Sequence, residues 1–420
     1  MNMVGLIDGN NFFVSCERVF DPHLEGKPVA VLSNNDGCCI SRSNEFKALG
    51  IAMGTPYFQL RPLISRYGLI LRSSNYELYS DMSRRIISLL NRFSPDVEQY
   101  SIDEAFIHLE LTGNADYFQY GVNLRRTILQ WIGIPCGVGF ALTRTLAKIA
   151  NHIGKKSPSG VFVMPDDRKS ILEKTPVEDV WGIGRKLAPQ LHRTGINNAW
   201  QLATQDVAAM SKKHSVLLGK TILELRGITA LDEKDPEELS QSISCSRCFG
   251  SPVTEFDDLA ESVASYTATA AEKLRRENQT AQGISVYFVM YPEYSPYPMA
   301  GAVNQISVTF DFPTDDTAKI MQYVRPKLKS IFHSGRRYKK SGIIFFGLES
   351  KENRQMELFS NDSEKDNSEL YKIIDQLNRQ YGKGTVFSLG EGVKKPWQMK
   401  RDLLSQHYTT DWKQLLKVKC

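Results

Sequence analysis

At 420 residues, with 41% hydrophobic and 24% charged residues, the composition is that of a globular protein of about two to four domains and excludes a disordered chain. No apolar run approaches the roughly 18 residues of a spanning helix, and the first residues lack a basic-then-apolar leader, so neither a membrane nor export is expected and a cytoplasmic setting is. The net charge of +5 is too small to argue for a nucleic-acid partner by itself, and the seven cysteines, odd in number and scattered, suit reduced thiols.

Met3–Asp8 predicts an apolar strand that ends in a lone Asp, with a helix at once over Phe12–Phe20 whose Phe13, Cys16 and Phe20 share a face. Residues 27–32 read as a strand, Asn34-Asn35-Asp36-Gly37 as a tight turn, and Cys38–Ser41 as the returning strand. A short helix at Asn44–Leu49 stops at Gly50, and Gly54-Thr55-Pro56 closes the unit. Ser73, Ser74 and Asn75 offer caps to a helix running to Leu90, with Leu78, Met82, Ile86, Ile87 and Leu90 as its apolar stripe. A hairpin over Glu98–Leu109, a helix near Tyr120–Trp131, a small-residue strand at Cys136–Phe140 and a helix at Thr143–Ile153 follow. The order strand, helix, strand, strand, helix, strand predicts a ferredoxin-like α+β unit.

The hairpin carries Tyr100-Ser101-Ile102-Asp103-Glu104-Ala105-Phe106, two adjacent carboxylates in an otherwise apolar pattern. On an extended segment they face opposite sides unless a turn or bulge rotates one. Either Asp-Glu marks the hairpin turn, as acidic residues often do, or Asp8, Asp103 and Glu104 converge at neighbouring strand ends to hold a metal. Three hard oxygen ligands suit Mg²⁺, and two such ions about 4 Å apart activate an attacking hydroxyl and stabilise a leaving pyrophosphate.

Trp181-Gly182-Ile183-Gly184-Arg185-Lys186-Leu187-Ala188 reads as a helix-hairpin-helix turn whose glycines let backbone N–H groups reach a DNA phosphate; an ordinary helix–helix turn is the plainer alternative. Residues 231–241 are polar, acidic and hold a Pro, as a linker does. Strand, helix, strand, strand, helix and strand then repeat over 242–249, 255–278, 283–291, 303–311, 314–333 and 341–348. Cys245-Ser246-Arg247-Cys248 has no second pair, so no zinc site is expected. Lys273, Arg275 and Arg276, then Arg336, Arg337, Lys339 and Lys340, suit a clasp that tracks a DNA backbone or a solvated surface. Beyond 351 lies a charged stretch holding Gln355-Met356-Glu357-Leu358-Phe359, whose apolar pair has the look of a docking peptide, and then a helix at 368–380.

Five stretches in combination, Ile7-Asp8-Gly9-Asn10-Asn11-Phe12-Phe13, Leu32-Ser33-Asn34-Asn35-Asp36-Gly37, Ser74-Asn75-Tyr76-Glu77-Leu78-Tyr79, Tyr100–Glu104 and Asp179–Arg185, make nearly the whole chain resemble the Y-family, lesion-bypass DNA polymerases. Trp397-Gln398-Met399-Lys400-Arg401 resembles the tail of the UmuC-type catalytic subunits of DNA polymerase V. The resemblance implies a right-hand polymerase: a ferredoxin-like palm (1–25 and 72–165), small fingers (26–71), a helix-hairpin-helix thumb (166–230), the linker, a separate α/β little finger (242–350) and a tail (351–420). It implies error-prone, template-directed addition of deoxynucleotides to a primer 3′ end in SOS-type damage tolerance, with two Mg²⁺ ions on Asp8, the Gly9 carbonyl and Asp103, and Glu104 as a further ligand or as organiser of the 3′-hydroxyl site.

Phe13, which alone reads as a core aromatic, becomes the ring under the incoming sugar that excludes a 2′-hydroxyl. Phe12, Ser41, Asn44, Lys47 and Lys155 become triphosphate contacts, although Asn44 and Lys47 stand where the family carries Tyr and Arg. Lys keeps the charge of Arg without its bidentate fork. Small Cys38 and Gly54 fit a roomy ceiling over the nascent base pair, or simple packing. Gly182, Ile183, Gly184, Arg185, Lys186, Arg336, Arg337 and Lys339 are implied to meet DNA, and Gln355, Leu358 and Phe359 a sliding clamp. The implied partners are primer–template DNA, deoxynucleoside triphosphates, that clamp, a processed UmuD-type dimer and a RecA filament. Two rivals are a nucleotide cyclase-like enzyme, which would lack the GxG turn and second basic sheet, and a non-catalytic, clamp-tethered DNA-binding factor.

Overall fold

The chain opens with β1 (Asn2–Gly9) and α1 (Phe12–Phe20), joined by Asn11 in the left-handed region at φ 49°, a conformation that Asn tolerates and that turns strand sharply into helix. The computed structural model describes residues 2–110, 116–231, 240–292, 303–353 and 367–416. Two units divide it, Met1–Lys234 with Asp402–Cys420, and Asp235–Arg401.

In the first unit, β2 (Val29–Leu32), β3 (Cys39–Arg42), α2 (Asn44–Ala48), α3 (Tyr57–Tyr67) and β4 (Ile70–Ser73) follow α1. Their three-stranded sheet has the order β3-β2-β4, with β2 antiparallel to β3 and parallel to β4. Neither α3 nor β4 is expected from the sequence. Pro62 lies inside α3 and reads as a breaker, and β4 is four residues flush against the capping residues of the next helix.

Then come α4 (Tyr76–Leu90), β5 (Asp96–Gln99), β6 (Glu104–Glu110), α5 (Tyr117–Ile132), β7 (Cys136–Ala141), α6 (Arg144–Gly154) and β8 (Val161–Val163). Of the three candidates Ser73, Ser74 and Asn75, it is Asn75 that caps α4, its Oδ1 accepting the Leu78 N–H at 3.2 Å. The sheet order is β5-β6-β1-β7-β8. Its first four strands have the antiparallel ferredoxin-like arrangement, and β8 adds a parallel edge.

Side-chain alternation sorts the two faces. Met3, Ile7, Ala105 and Ile107 pack with α1, α4 and α5. Val4, Leu6 and Phe106 pack with α6 and with the helices that follow it: α7 (Lys169–Lys174), α8 (Ala188–Arg193), α9 (Ala199–Ala203), α10 (Val207–Lys213) and α11 (Val216–Leu225). Glu224, fully buried on α11, accepts the Thr145 N–H at 3.1 Å and the N–H groups of Ala230 and Leu231 at 2.9 and 3.2 Å, so one carboxylate satisfies an end of α6 and the turn after α11. Residues 402–416 belong to this unit; Leu403 packs in the small-sheet core and Tyr408 against Phe20.

The second unit contains β9 (Ile243–Val253), α12 (Phe256–Arg276), β10 (Gln279–Met290), β11 (Val303–Thr314), α13 (Thr317–Val324), β12 (Tyr338–Ser350) and α14 (Ser368–Tyr381). Its antiparallel sheet, ordered β11-β10-β12-β9, shares one apolar core with α12 and α13. The helix expected over 314–333 is shorter, because Pro326 comes two residues after Val324 and the backbone tightens to a 3₁₀ turn over Arg325–Ile331. α14 is held by a bidentate pair, Arg275 to Asp375 at 2.6 and 2.8 Å. Cys245 and Cys248 are free thiols on β9. Among the described residues, no helix is long and apolar enough to cross a membrane.

Candidate active site

Asp8, near the end of β1, stands opposite Glu104 on β6 and opposite Gly137 on β7. Asp8 shares its strand face with Leu6, and Glu104 shares its face with Phe106, so both carboxylates lie on the α6 side of the sheet. Asp103 sits in the turn before β6. Its carbonyl accepts the Gly9 N–H at 2.9 Å, which binds that turn to the end of β1. Ser101 Oγ donates to Asp103 Oδ1 at 2.7 Å and accepts the N–H groups of Asp103 and Glu104 at 3.3 and 3.0 Å. Asp103 thus ends the hairpin turn and Glu104 opens β6, and that turn also brings the pair beside Asp8.

Two lysines of the α6 region meet these acids. Lys155 Nζ lies 2.5 Å from Asp8 Oδ2, and Lys148 Nζ lies 2.8 Å from Glu104 Oε1. Lys148 is also boxed by the rings of Tyr100 and Trp181, 4.5 and 5.2 Å from their centroids. Glycines on β7 make this approach possible. A Cβ on Gly139 would stand 2.1 Å from the Asn151 N of α6, and one on Gly137 would stand 2.5 Å from Lys155 Cγ. The small-residue strand is therefore the surface on which α6 lies close enough to aim its C-terminal lysine.

Burial pushes the Asp8 carboxyl up to about 6; Lys155 pulls it down, and the charges of Glu104 and Asp103 add to the rise. Among the described residues, no three Asp, Glu, His or Cys side chains are drawn together as a ready metal cage. Asp8 and Glu104 are each turned to a lysine, and Asp103 to Ser101. The donor set still fits a hard divalent cation: carboxylate oxygens on adjoining strand ends, mutually repulsive and already attracting positive charge.

On the neighbouring side, Phe13 stacks on Tyr79 with centroids 4.6 Å apart and planes at 15°, and meets Tyr76 edge-on at 6.0 Å. Lys47 Nζ donates to Asn11 Oδ1 at 2.5 Å, and Asn11 Nδ2 donates to Asn44 Oδ1 at 3.0 Å. Asn11, which the sequence does not single out, thus ties α2 to the turn above Asp8; an Asn between an apolar strand and a helix is the signal that could have found it. Burial and the nearby cations Arg42 and Lys155 hold Lys47 below its usual pKa. Phe12 and Ser41 are buried, at 3% and 7% exposure, so their side chains offer little surface to a ligand. Cys38 Sγ lies 3.4 Å from Ser33 Oγ, and Gly54, at φ 79°, faces open space.

The GxG turn lies between a 3₁₀ turn (Val177–Asp179) and α8, not between two full helices. Ile183 is buried, Gly182 has φ 89°, a Cβ on Gly184 would meet nothing, and Arg185 and Lys186 are exposed. In the second unit, Arg336 and Arg337 lie just before β12 and Lys339 is its second residue, with Arg337 over the Tyr291 ring at 5.4 Å. Gln355, Leu358 and Phe359 lie outside the described residues.

Comparison with known proteins agrees with these features. Residues 7–152 match the model of the impB/mucB/samB family, 165–196 its helix-hairpin-helix motif, 240–358 its C-terminal domain, and 368–418 a domain of unknown function. Protein UmuC of Salmonella typhimurium is 42% identical over 99% of this chain and 100% of its own length, and Protein ImpB of the same organism is 40% identical over 98% and 99%. DNA polymerase IV of Bacillus velezensis is 24% identical over 94% and 96%. Among solved structures, a Y-family DNA polymerase chimera of Dbh and Dpo4 superposes with TM-score 0.63 at 21% identity, over 83% of this chain and all of that one. An insertion ternary complex of Dbh DNA polymerase gives TM-score 0.53 over the same shares.

Proposed function

Because the chain belongs to the impB/mucB/samB family, and within it to the UmuC-type Y-family DNA polymerases, we propose that it extends a primer 3′ end across damaged template with Asp8, Asp103 and Glu104 as its catalytic acids. The chain is a DNA-directed DNA polymerase of the translesion kind, and the roles of its individual residues are our own reading of the site. The observation that carries that reading is the cross-strand pairing of Asp8 with Glu104 on the α6 face, with Asp103 fastened beside them through Gly9.

Asp8, the Gly9 carbonyl, Asp103 and Glu104 would hold two Mg²⁺ ions, which when bound favour the ionised 3′-hydroxyl and neutralise charge on the departing pyrophosphate. The protein's own part is placement and electrostatics. Lys155 and Lys47 supply cations for the triphosphate, with Asn44 and Asn11 holding Lys47 in place. Phe12 and Ser41 contribute through backbone, since their side chains are buried. Phe13 lies under the sugar, supported by Tyr79, and its ring would clash with a 2′-hydroxyl. Residues 1–25 and 72–165 act as palm, 26–71 as fingers, 166–230 as thumb and 242–350 as little finger.

Gly182–Lys186 and the Arg336, Arg337 and Lys339 group track DNA phosphates independently of base sequence. Gln355, Leu358 and Phe359 dock on a sliding clamp. The UmuC relationship supports a processed UmuD-type dimer and a RecA filament as partners, in SOS-type mutagenesis in the cytoplasm.

The test is primer extension on a lesion-bearing template with Mg²⁺, with and without a UmuD-type dimer. Extension by the wild type and its loss in each of Asp8→Ala, Asp103→Ala and Glu104→Ala are expected. Undiminished turnover in all three variants rules out the assignment, and no extension by the wild type under any condition points to a clamp-tethered binding factor.

A further inference from the structure

Residues 402–408 lie along the first unit as a strap. The Ser73 N–H donates to the Leu403 carbonyl at 3.0 Å, and the Leu403 N–H donates to Ser73 Oγ at 2.9 Å. Asn75 Nδ2 donates to Ser405 Oγ at 3.0 Å and to the Gln406 carbonyl at 3.2 Å. The Tyr408 ring stacks on Phe20, centroids 4.9 Å apart and planes within 6°. The strap thus meets β4, the cap of α4 and the end of α1 in turn.

One of these contacts leads inward. Ser405 Oγ donates at 3.1 Å to Glu17 Oε1, and the same oxygen accepts the Tyr79 hydroxyl at 2.7 Å. Glu17 is 1% exposed and Tyr79 fully buried. A carboxylate taken out of water is stable only with donors aimed at it, and here they are one hydroxyl from the core and one from the strap. Arg72 acts on Glu17 through space while its guanidinium pairs with Asp21 at 3.2 Å. The other end of Tyr79 is the ring on which Phe13 stacks.

We propose that Ser405 is a positioning residue for sugar selection: through Glu17 it fixes the Tyr79 hydroxyl, and the Tyr79 ring fixes the plane of Phe13. The inference rests on the reading of Phe13 as the ring under the incoming sugar. Stacked rings slide easily in the stacking plane, because the interaction is weakly directional there. A hydroxyl anchored at 2.7 Å removes that freedom for Tyr79, and hence narrows the positions open to Phe13. The strap is the far end of the anchor, so the C-terminal segment takes part in substrate choice without touching the nucleotide.

The experiment measures kcat/KM for a ribonucleotide and for the matching deoxynucleotide in the full chain, and reads their ratio. Loss of one hydrogen bond of about 0.5–1.5 kcal/mol corresponds to a change of roughly twofold to tenfold. Ser405→Ala and Tyr79→Phe are each expected to raise the ribonucleotide ratio by about that factor, and Ser405→Thr, which keeps the hydroxyl, to restore it. A purely structural role lowers both rates together and leaves the ratio still, so an unmoved ratio in Ser405→Ala and Tyr79→Phe overturns the proposal. Phe13→Ala separates the two levels. Strong ribonucleotide uptake there, with no effect at Ser405 or Tyr79, rejects the strap and keeps the gate. No change in Phe13→Ala rejects the gate and the strap with it.

Discussion

Lys155 reaches from the C-terminal end of α6 to Asp8 on β1, Nζ to Oδ2 at 2.5 Å, and yet the Asp8 carboxyl is held up at about 6. Burial outweighs the lysine. The usual carboxylate value is 3.8, so in metal-free protein the folded chain keeps a proton that the unfolded chain releases between about pH 4 and pH 6. Stability contributed at this site is therefore present below that window, falls as pH rises through it, and is level above. The span corresponds to roughly 3 kcal/mol. Urea melts in chelator from pH 4 to pH 7 are expected to show this slope, and Asp8→Asn to flatten it. A divalent cation favours the ionised carboxylate, so Mg²⁺ is expected to bind more weakly as pH falls below about 6 and to displace a proton near that pH. Calorimetry in two buffers of different ionisation enthalpy reads that proton, and an absence of release at pH 6 refutes the link.

Gly137 and Gly139 test how the lysine is aimed. A Cβ at Gly137 meets Lys155 Cγ at 2.5 Å, whereas one at Gly139 meets helix backbone at 2.1 Å. Gly137→Ala is expected to displace chiefly the lysine, raising the deoxynucleotide KM about tenfold with a stability loss of about 1 kcal/mol. Gly139→Ala has to move α6 itself and is expected to lose about 2–3 kcal/mol. A Gly137→Ala enzyme with normal KM and a displaced Lys155 would separate that lysine from nucleotide binding.

These contrasts explain what the sequence could and could not reveal. Asp8 stands out as a lone charge at the end of an apolar strand, and the order of the strands and helices that flank the Asp103-Glu104 hairpin, like that of β9 to β12 in the second unit, follows from residue periodicity. The helix at 368–380 is legible for the same reason, and α14 ends one residue beyond it. Lys155 on Asp8, Lys148 on Glu104 and Asn11 on Lys47 are not legible, because each joins distant residues and depends on how closely a helix lies on a sheet. Residues 402–408 have no periodicity at all; their place is set by Ser73, Asn75 and Glu17 on other elements. α3 fails the sequence test because Pro62 is tolerated inside it.

Lys148 joins Glu104 to the aromatic pair Tyr100 and Trp181. The ion pair is about four-fifths buried on both sides, between the exposed pairs that contribute little and the fully buried ones that cost several kcal/mol to break. Lys148→Met keeps a long apolar chain against the rings and removes the charge alone. We expect a stability loss of about 1–2 kcal/mol and a fall in kcat of about tenfold with little change in nucleotide KM. Rapid-quench kinetics at saturating nucleotide distinguishes this from a folding defect, and an unchanged kcat would make the pair purely structural.

The turn at Gly182–Lys186 makes a different demand, since its expected ligand is a phosphate and not a base. Ile183 anchors the turn from below, Gly182 takes a positive φ that a side chain would strain, and Gly184 leaves the outer surface open. Arg185 and Lys186 then project from a rigid base into solvent. A cation on a phosphate releases condensed counterions, so each such contact contributes about 0.9 to the slope of log affinity against log salt on duplex DNA. Arg185→Ala and Lys186→Ala are each expected to lower primer–template affinity severalfold, by equal factors on unrelated sequences, and to reduce that slope by about one unit. Fluorescence anisotropy titrations over a range of salt concentrations measure both quantities. A sequence-dependent loss, or a weaker affinity at unchanged slope, would exclude a direct phosphate contact. Gly184→Ala provides the steric counterpart: with nothing within 4 Å of the new methyl, it is expected to leave the fold intact and weaken DNA binding alone.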